Sequence, residues 1–264
     1  MIERSEHGDV NAYRLSWWRS RLIGYGVYVY TTRGVMIDTG FPAARREVDT
    51  IVAADQVRGV YVTHQHEDHA GNVPWLAQCG IPFAMNAATE HALHTRHRIG
   101  LYRHITWRAT PVLRAPIVPF TEPGLALEHA PGHVDDHHVV WDSTTNTVFA
   151  GDLFLGVRVV VAHRYEQPLA TLASLRAVIA RTPDRVFCAH RGLLAGGTRQ
   201  LQAKVDWIEG KIGEIHTWAE RGLSVREIRM RVLGGPTSTH WASRGDYSPD
   251  NFVFAVLRDT AKNG

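Results

Sequence analysis

Residues 61 to 72 read YVTHQHEDHAGN, with three histidines and two acids inside six positions, directly after a β-branched run. In His64-x-His66-x-Asp68-His69 a tight loop following a strand can turn all four side chains toward one point, which a strand face cannot do. Imidazole and carboxylate suit zinc and, less well, iron or manganese. Thiolate donors are missing, because Cys79 and Cys188 stand apart and form no C-x-x-C pair. Four donors closing on one catalytic ion would leave it no open position, so the surplus points to two ions and to further donors downstream. Three stand at the ends of strand-like runs: His133 in APGHVDD, Asp152 in FAGDLF and His190 in FCAHRG.

The elements that must position these residues alternate in type. YGVYVYTTRGVMIDTG reads as a hairpin, AARREVDTIVAAD as a helix, RGVYVT as a strand, NVPWLAQCG as a short helix and IPFAMN as another strand. From 91 to 108 the text is basic and aromatic, with Leu93, His97, Leu101 and Ile105 at i+4 spacing on one helix or a pair; the proline-rich TPVLRAPIVPF that follows is a connection or a lid segment. LALEHAPGH, HHVVWDS and NTVFAGD read as three strands, PLATLASLRAVIA as a helix, RVFCAH as a strand and TRQLQAKVDWIEGKIGEIHTWAERG as a long helix, with further helical text at the end. One α/β domain over 1–264 is expected, with a core of about 10–197 and a helical C-terminal extension of about 198–264.

Composition is that of an ordinary globular chain, 44% hydrophobic and 21% charged, with a net charge of +3. That balance allows nucleic-acid binding without favouring it. No apolar run approaches the roughly 20 residues of a spanning helix, so no membrane partner is expected. The first residues lack the layout of a secretory signal, and a cytoplasmic location is expected.

In order after IDTG, the motifs THQHEDHAG, PGHVDDHH, AGD and CAH resemble those of the metallo-β-lactamase fold superfamily, over roughly residues 23 to 192. The resemblance implies a four-layer αββα sandwich with C-terminal helices and a dinuclear site at one edge of the paired sheets. Carried over by position, it implies that His64, His66 and His133 hold one metal, that Asp68, His69 and His190 hold the other, and that Asp152 bridges them. Asp38 and His137 would stand behind the ligands and steady them by hydrogen bonds. The chain is similar to the glyoxalase II (hydroxyacylglutathione hydrolase) and lactamase-beta-like branches rather than to the drug-resistance enzymes with a Cys near the Asp152 position, since Ala150 and Leu153 flank it here. Asn72 departs from the motif, which often carries a second Gly there.

The expected activity is that of a dinuclear zinc hydrolase using a metal-bridging hydroxide on an ester-like bond (thioester, lactone or related acyl group) of a small molecule, with manganese or iron as other metals. Asp68 is assigned a catalytic role, shuttling a proton to the leaving group. The alternatives are a phosphodiesterase or ribonuclease on the same site, or a mononuclear iron enzyme of the persulfide-dioxygenase type. His163 is a candidate substrate contact, the last helices are candidates for a homodimer contact, and Glu67 reads as a spacer pointing away from the metals.

Overall fold

The computed structural model of the chain describes residues 1–95 and 99–263, so His97 of the expected helix spacing lies outside the described residues. In chain order the first elements are β1 (Ile2–His7), β2 (Val10–Leu15), α1 (Trp18–Leu22), β3 (Val27–Thr32), β4 (Val35–Ile37), α2 (Arg45–Ala54) and β5 (Gly59–Tyr61). Then come α3 (Val73–Gln78), β6 (Phe83–Ala84), α4 (Ala87–His94), α5 (Leu101–Thr106), β7 (Leu125–His129), β8 (His138–Asp142) and β9 (Thr147–Phe149). The rest are β10 (Ala162–His163), α6 (Pro168–Ala180), β11 (Arg185–Cys188), β12 (Gly192–Leu193), α7 (Gly197–Glu220), α8 (Val225–Val232), α9 (Ser238–Ala242), β13 (Tyr247–Ser248) and α10 (Pro249–Asn263).

These elements gather into two compact units. The first takes Met1–His129, Asp136–Asp152 and Asp184–Leu194; the second takes Ala130–Asp135, Leu153–Pro183 and the chain from Ala195 on.

The first unit holds two sheets. One runs β1-β2-β3-β4-β5-β6, antiparallel through β4 and parallel from β4 to β6; the other runs β12-β11-β9-β8-β7, in which only the β11–β9 pair is parallel. The period of two along each strand sorts side chains onto opposite faces. Val10, Ala12, Tyr30, Val35, Ile37 and Tyr61 of the first sheet meet Leu125, Val140, Phe149 and Phe187 of the second in one core. Their strand neighbours Tyr13, Leu15, Val27, Val29, Met36 and Val60 face the other way and pack with Val48 and Ile51 of α2, Val73 and Leu76 of α3 and Leu93 of α4. The unit is therefore a helix layer on a sheet on a second sheet. Arg33 and Gly34 both lie at positive φ, 50° and 74°, and close the β3–β4 hairpin in the two-residue turn that matches strand twist.

The second unit is mainly helical. α6 packs on α7 through buried Leu172, Leu175 and Val178 on one side and Leu201, Val205 and Ile208 on the other, while α8 and α10 complete the cluster and β10 pairs with β13. The sequence pattern announces neither β1, whose IERSEH carries charge on both faces, nor the two-residue strands β10, β12 and β13.

Candidate metal centre

Six of the seven expected donors lie in the first unit, each just past a strand end or in the loop after it. β5 delivers His64 and opens the loop with His66, Asp68 and His69; β9 delivers Asp152; β11 delivers His190. Rigid strands feeding short loops suit a site that needs fixed geometry.

The 64–72 loop is fastened to the loop after β4. Thr39 N donates to His69 O at 2.6 Å and Gly71 N to Gly40 O at 3.0 Å. A Cβ on Gly71 would stand 2.2 Å from Glu67 O and 2.6 Å from Gly40 O, so the two backbones approach as only glycine permits. Asn72, the departure from the motif, is buried and donates its amide to the carbonyls of Thr39 (2.8 Å) and Phe41 (3.0 Å).

Asp38, at φ 60°, accepts from Thr63 N at 2.8 Å and from Thr63 Oγ1 at 3.0 Å, and its Oδ2 faces His69 Nδ1 at 2.7 Å. That leaves His69 Nε2 turned to Asp152 Oδ1 at 3.4 Å. His190 Nδ1 is likewise held by Gly26 O at 2.9 Å, and its Nε2 stands 3.3 Å from both Asp68 Oδ2 and Asp152 Oδ1. The second oxygen of Asp152 faces His64 Nε2 at 4.0 Å. One donor atom each from His64, His66 and Asp152 falls within 4.8 Å of the others, and the same holds for Asp68, His69 and His190. His137 Nε2 accepts from Asp152 N at 3.0 Å, and a Cβ on Gly151 would strike that nitrogen at 2.7 Å.

In the second unit, His133 is buried in the 130–135 stretch, with Nδ1 3.8 Å from Glu166 Oε1. His163, on β10, has its backbone N–H on Glu166 and its ring against Tyr165 and Tyr247 at 4.5 and 5.1 Å.

Burial disfavours charge on His64, Asp68, His69, Asp152 and His190. Burial, with His69 and His66 beside it, pushes His64 well below its ordinary value. At His69 and His190 burial acts the same way, but Asp152, with Asp38 or Asp68, outweighs it and holds both imidazoles well above theirs. Burial would raise Asp152; the imidazoles of His190 and His69 hold it well below instead. The donor set fits divalent metal. Its imidazoles at 69 and 190 have one nitrogen tied off and the other aimed at carboxylates, the arrangement that ligating histidines show. The nearby cation Arg103 is turned onto Glu67.

Two residues have roles the sequence did not reveal. Glu67 is buried and ion-paired to Arg103 of α5 at 2.5 Å, so it does more than space the ligands. Asp136, buried, accepts from Gln65 N at 2.9 Å and from Thr89 Oγ1 at 2.8 Å, tying the ligand loop to α4. The DD pair in PGHVDDHH was the one available signal for Asp136.

Residues 23–190 match the metallo-beta-lactamase superfamily. The chain belongs to that superfamily. A hydroxyacylglutathione hydrolase of Shewanella denitrificans is 27% identical over 59% of this chain and 55% of its own length. The lactamase-like protein nscB of Trichophyton rubrum is 24% identical over 87% of this chain and 64% of its own length. The chain thus spans 55 to 64% of these curated relatives. A metallo-β-lactamase from Pontibacter korlensis (TM-score 0.59, 15% identity, 79% of this chain, 99% of that one) has the same fold. So does the DIM-1 metallo-β-lactamase (TM-score 0.57, 16% identity, 79% and 97%). The expected metallo-β-lactamase fold is borne out, and with it the superfamily of mainly hydrolytic metalloenzymes.

Proposed function

We propose that the chain is a dinuclear zinc hydrolase that cleaves an ester-like bond of a small molecule, a thioester, lactone or related acyl group. The observation that carries this reading is Asp152, whose two oxygens face different histidines, Oδ1 toward His69 and His190 and Oδ2 toward His64. That arrangement supports a role for Asp152 as the ligand shared by two ions. In this reading His64, His66 and His133 hold one ion, Asp68, His69 and His190 the other, and Asp38 and His137 keep the donors oriented. Two bound zinc ions would supply Lewis-acid polarisation and a water whose pKa falls toward about 7.

The protein's own part is positioning and proton handling. Asp68 is the carboxylate free to move a proton at Oδ to the leaving group, while Asp38 and Gly26 O keep His69 and His190 from turning. His163 contacts substrate, so His163→Ala raises KM more than it lowers kcat. The hydrolase named among the relatives supports an acyl substrate.

The test is a panel of thioesters, lactones, β-lactams and bis-p-nitrophenyl phosphate on zinc- and manganese-loaded protein, with metal content measured per chain. Acyl turnover with two zinc ions is expected. Turnover of the phosphodiester alone moves the substrate class; one iron and no zinc sinks the hydrolase reading.

A further inference from the structure

Beside the metal centre, the first unit exposes apolar side chains on two short helices that pack together. α1 and the turn after it expose Trp18 (63%), Leu22 (77%), Ile23 and Tyr25, and α5 exposes Leu101 and Ile105. A hydrogen bond from Trp17 Nε1 to Thr106 O, 2.5 Å, joins the two helices. Single exposed leucines need no account, but six large apolar side chains on abutting elements do.

The charge around them has one sign. Arg19, Arg21, His104 and Arg108 are exposed. Arg19 lies over the rings of Trp17 and Trp18 at 5.4 and 4.8 Å, and Arg108 over Trp17 at 5.4 Å. Among the described residues none of these three arginines has an acidic partner. The sequence holds no Asp or Glu from 10 to 37, nor from 91 to 121. Of the acids beyond those stretches, Glu47 is held by the N-terminal ammonium at 2.6 Å and Glu67 by Arg103 of α5 at 2.5 Å.

We propose that this face docks on an anionic lipid surface. Trp18, Leu22, Ile23 and Leu101 enter the boundary between headgroups and acyl chains, and Arg19, Arg21 and Arg108 meet the headgroup charge. Tryptophan and tyrosine with an apolar body and a polar edge, ringed by arginine and free of acids, match that boundary in both polarity and charge. Attachment of this kind needs no spanning run, so the lack of one, from which no membrane partner is expected, does not bear on it. The inference does not depend on the hydrolase reading, since its test reads binding and not turnover.

The test is flotation of the full metal-loaded chain with phosphatidylcholine vesicles and with equimolar phosphatidylcholine–phosphatidylserine vesicles. Expected are binding to the anionic vesicles only, weakening with salt, and a blue shift of tryptophan emission on binding. The pair Arg19→Gln/Arg21→Gln lowers partitioning roughly ten- to thirtyfold, and Trp18→Ser/Leu22→Ser lowers it on the order of tenfold or more. All four positions are exposed, so thermal midpoints stay at the wild-type value. Failure to float with anionic vesicles overturns the proposal, as does undiminished flotation of the Trp18/Leu22 pair. It is equally overturned if those substitutions instead abolish a dimer seen without lipid, or if the arginine pair loses only RNA binding.

Discussion

In the proposed reading Asp68 combines two duties that one substitution separates. Asp68→Asn keeps an oxygen donor but cannot carry a proton, so turnover is expected to fall by roughly 10² to 10⁴ with the fold retained. Turnover near wild type at full metal loading would remove Asp68 from proton transfer. Its neighbour Glu67 is a different case. It is buried against Arg103 and stands outside both donor groups found among the described residues. Glu67→Gln should leave metal stoichiometry unchanged while lowering the thermal midpoint. Arg103→Met, which strands a buried carboxylate, should cost about 3 kcal/mol in chemical denaturation. The donors were legible in the text because ligand chemistry restricts residue type and spacing. The Glu67–Arg103 pair was not, because its cation sits 36 positions on, in a stretch where helical spacing was interrupted by Gly100.

The strand ends explain why the donors converge, and the fastening of the two loops explains why they stay there. Gly71→Ala drives a methyl into Glu67 O and Gly40 O, neither of which is a flexible side-chain tip. Loss of more than about 3 kcal/mol is expected, read as a failure to reach a cooperative melt. Asn72→Gly restores the residue often found in related motifs but deletes two hydrogen bonds to buried carbonyls, and should cost roughly 1 to 3 kcal/mol. A midpoint unchanged by Asn72→Gly would show those carbonyls to be satisfied without it. Hairpin β3–β4, helices α2 and α3 and strands β7 to β9 could be read from periodicity and turn residues. β1, α1 and β10 could not. β1 alternates charge with charge, α1 is a five-residue helix inside a loop, and β10 exists only through its partner β13, some 80 positions away.

At the scale of the whole molecule, Arg33 in the β3–β4 turn and Asp142 at the end of β8 tie the two sheets at 2.7 Å. Burial would raise Asp142, but Arg33 and the hydroxyls of Thr144 and Thr145 outweigh it and bring the carboxyl down to about 2. A depressed folded value means the contribution is complete above the unfolded value and is lost as pH falls through the folded one. Asp142→Asn should therefore cost about 2 kcal/mol at pH 7, the difference from wild type shrinking between about pH 4 and pH 2 in denaturant melts. A chain cut after Gly197 would leave Leu172, Leu175 and Val178 of α6 without α7, so the expected C-terminal extension should prove inseparable. The check is expression of 1–197, which should bind a hydrophobic dye and lack a cooperative transition. The six alternating stretches of the two units also order events during synthesis. The six strands from β1 to β6 are adjacent in the sheet in the order they leave the ribosome, and so can pair as they emerge. β9 can pair with β8 at once, but its other edge must wait for β11, and His190 arrives last of the candidate ligands. Unlike in a small metal-nucleated finger, metal in the proposed reading would therefore arrive as a late guest of a scaffold that has largely closed.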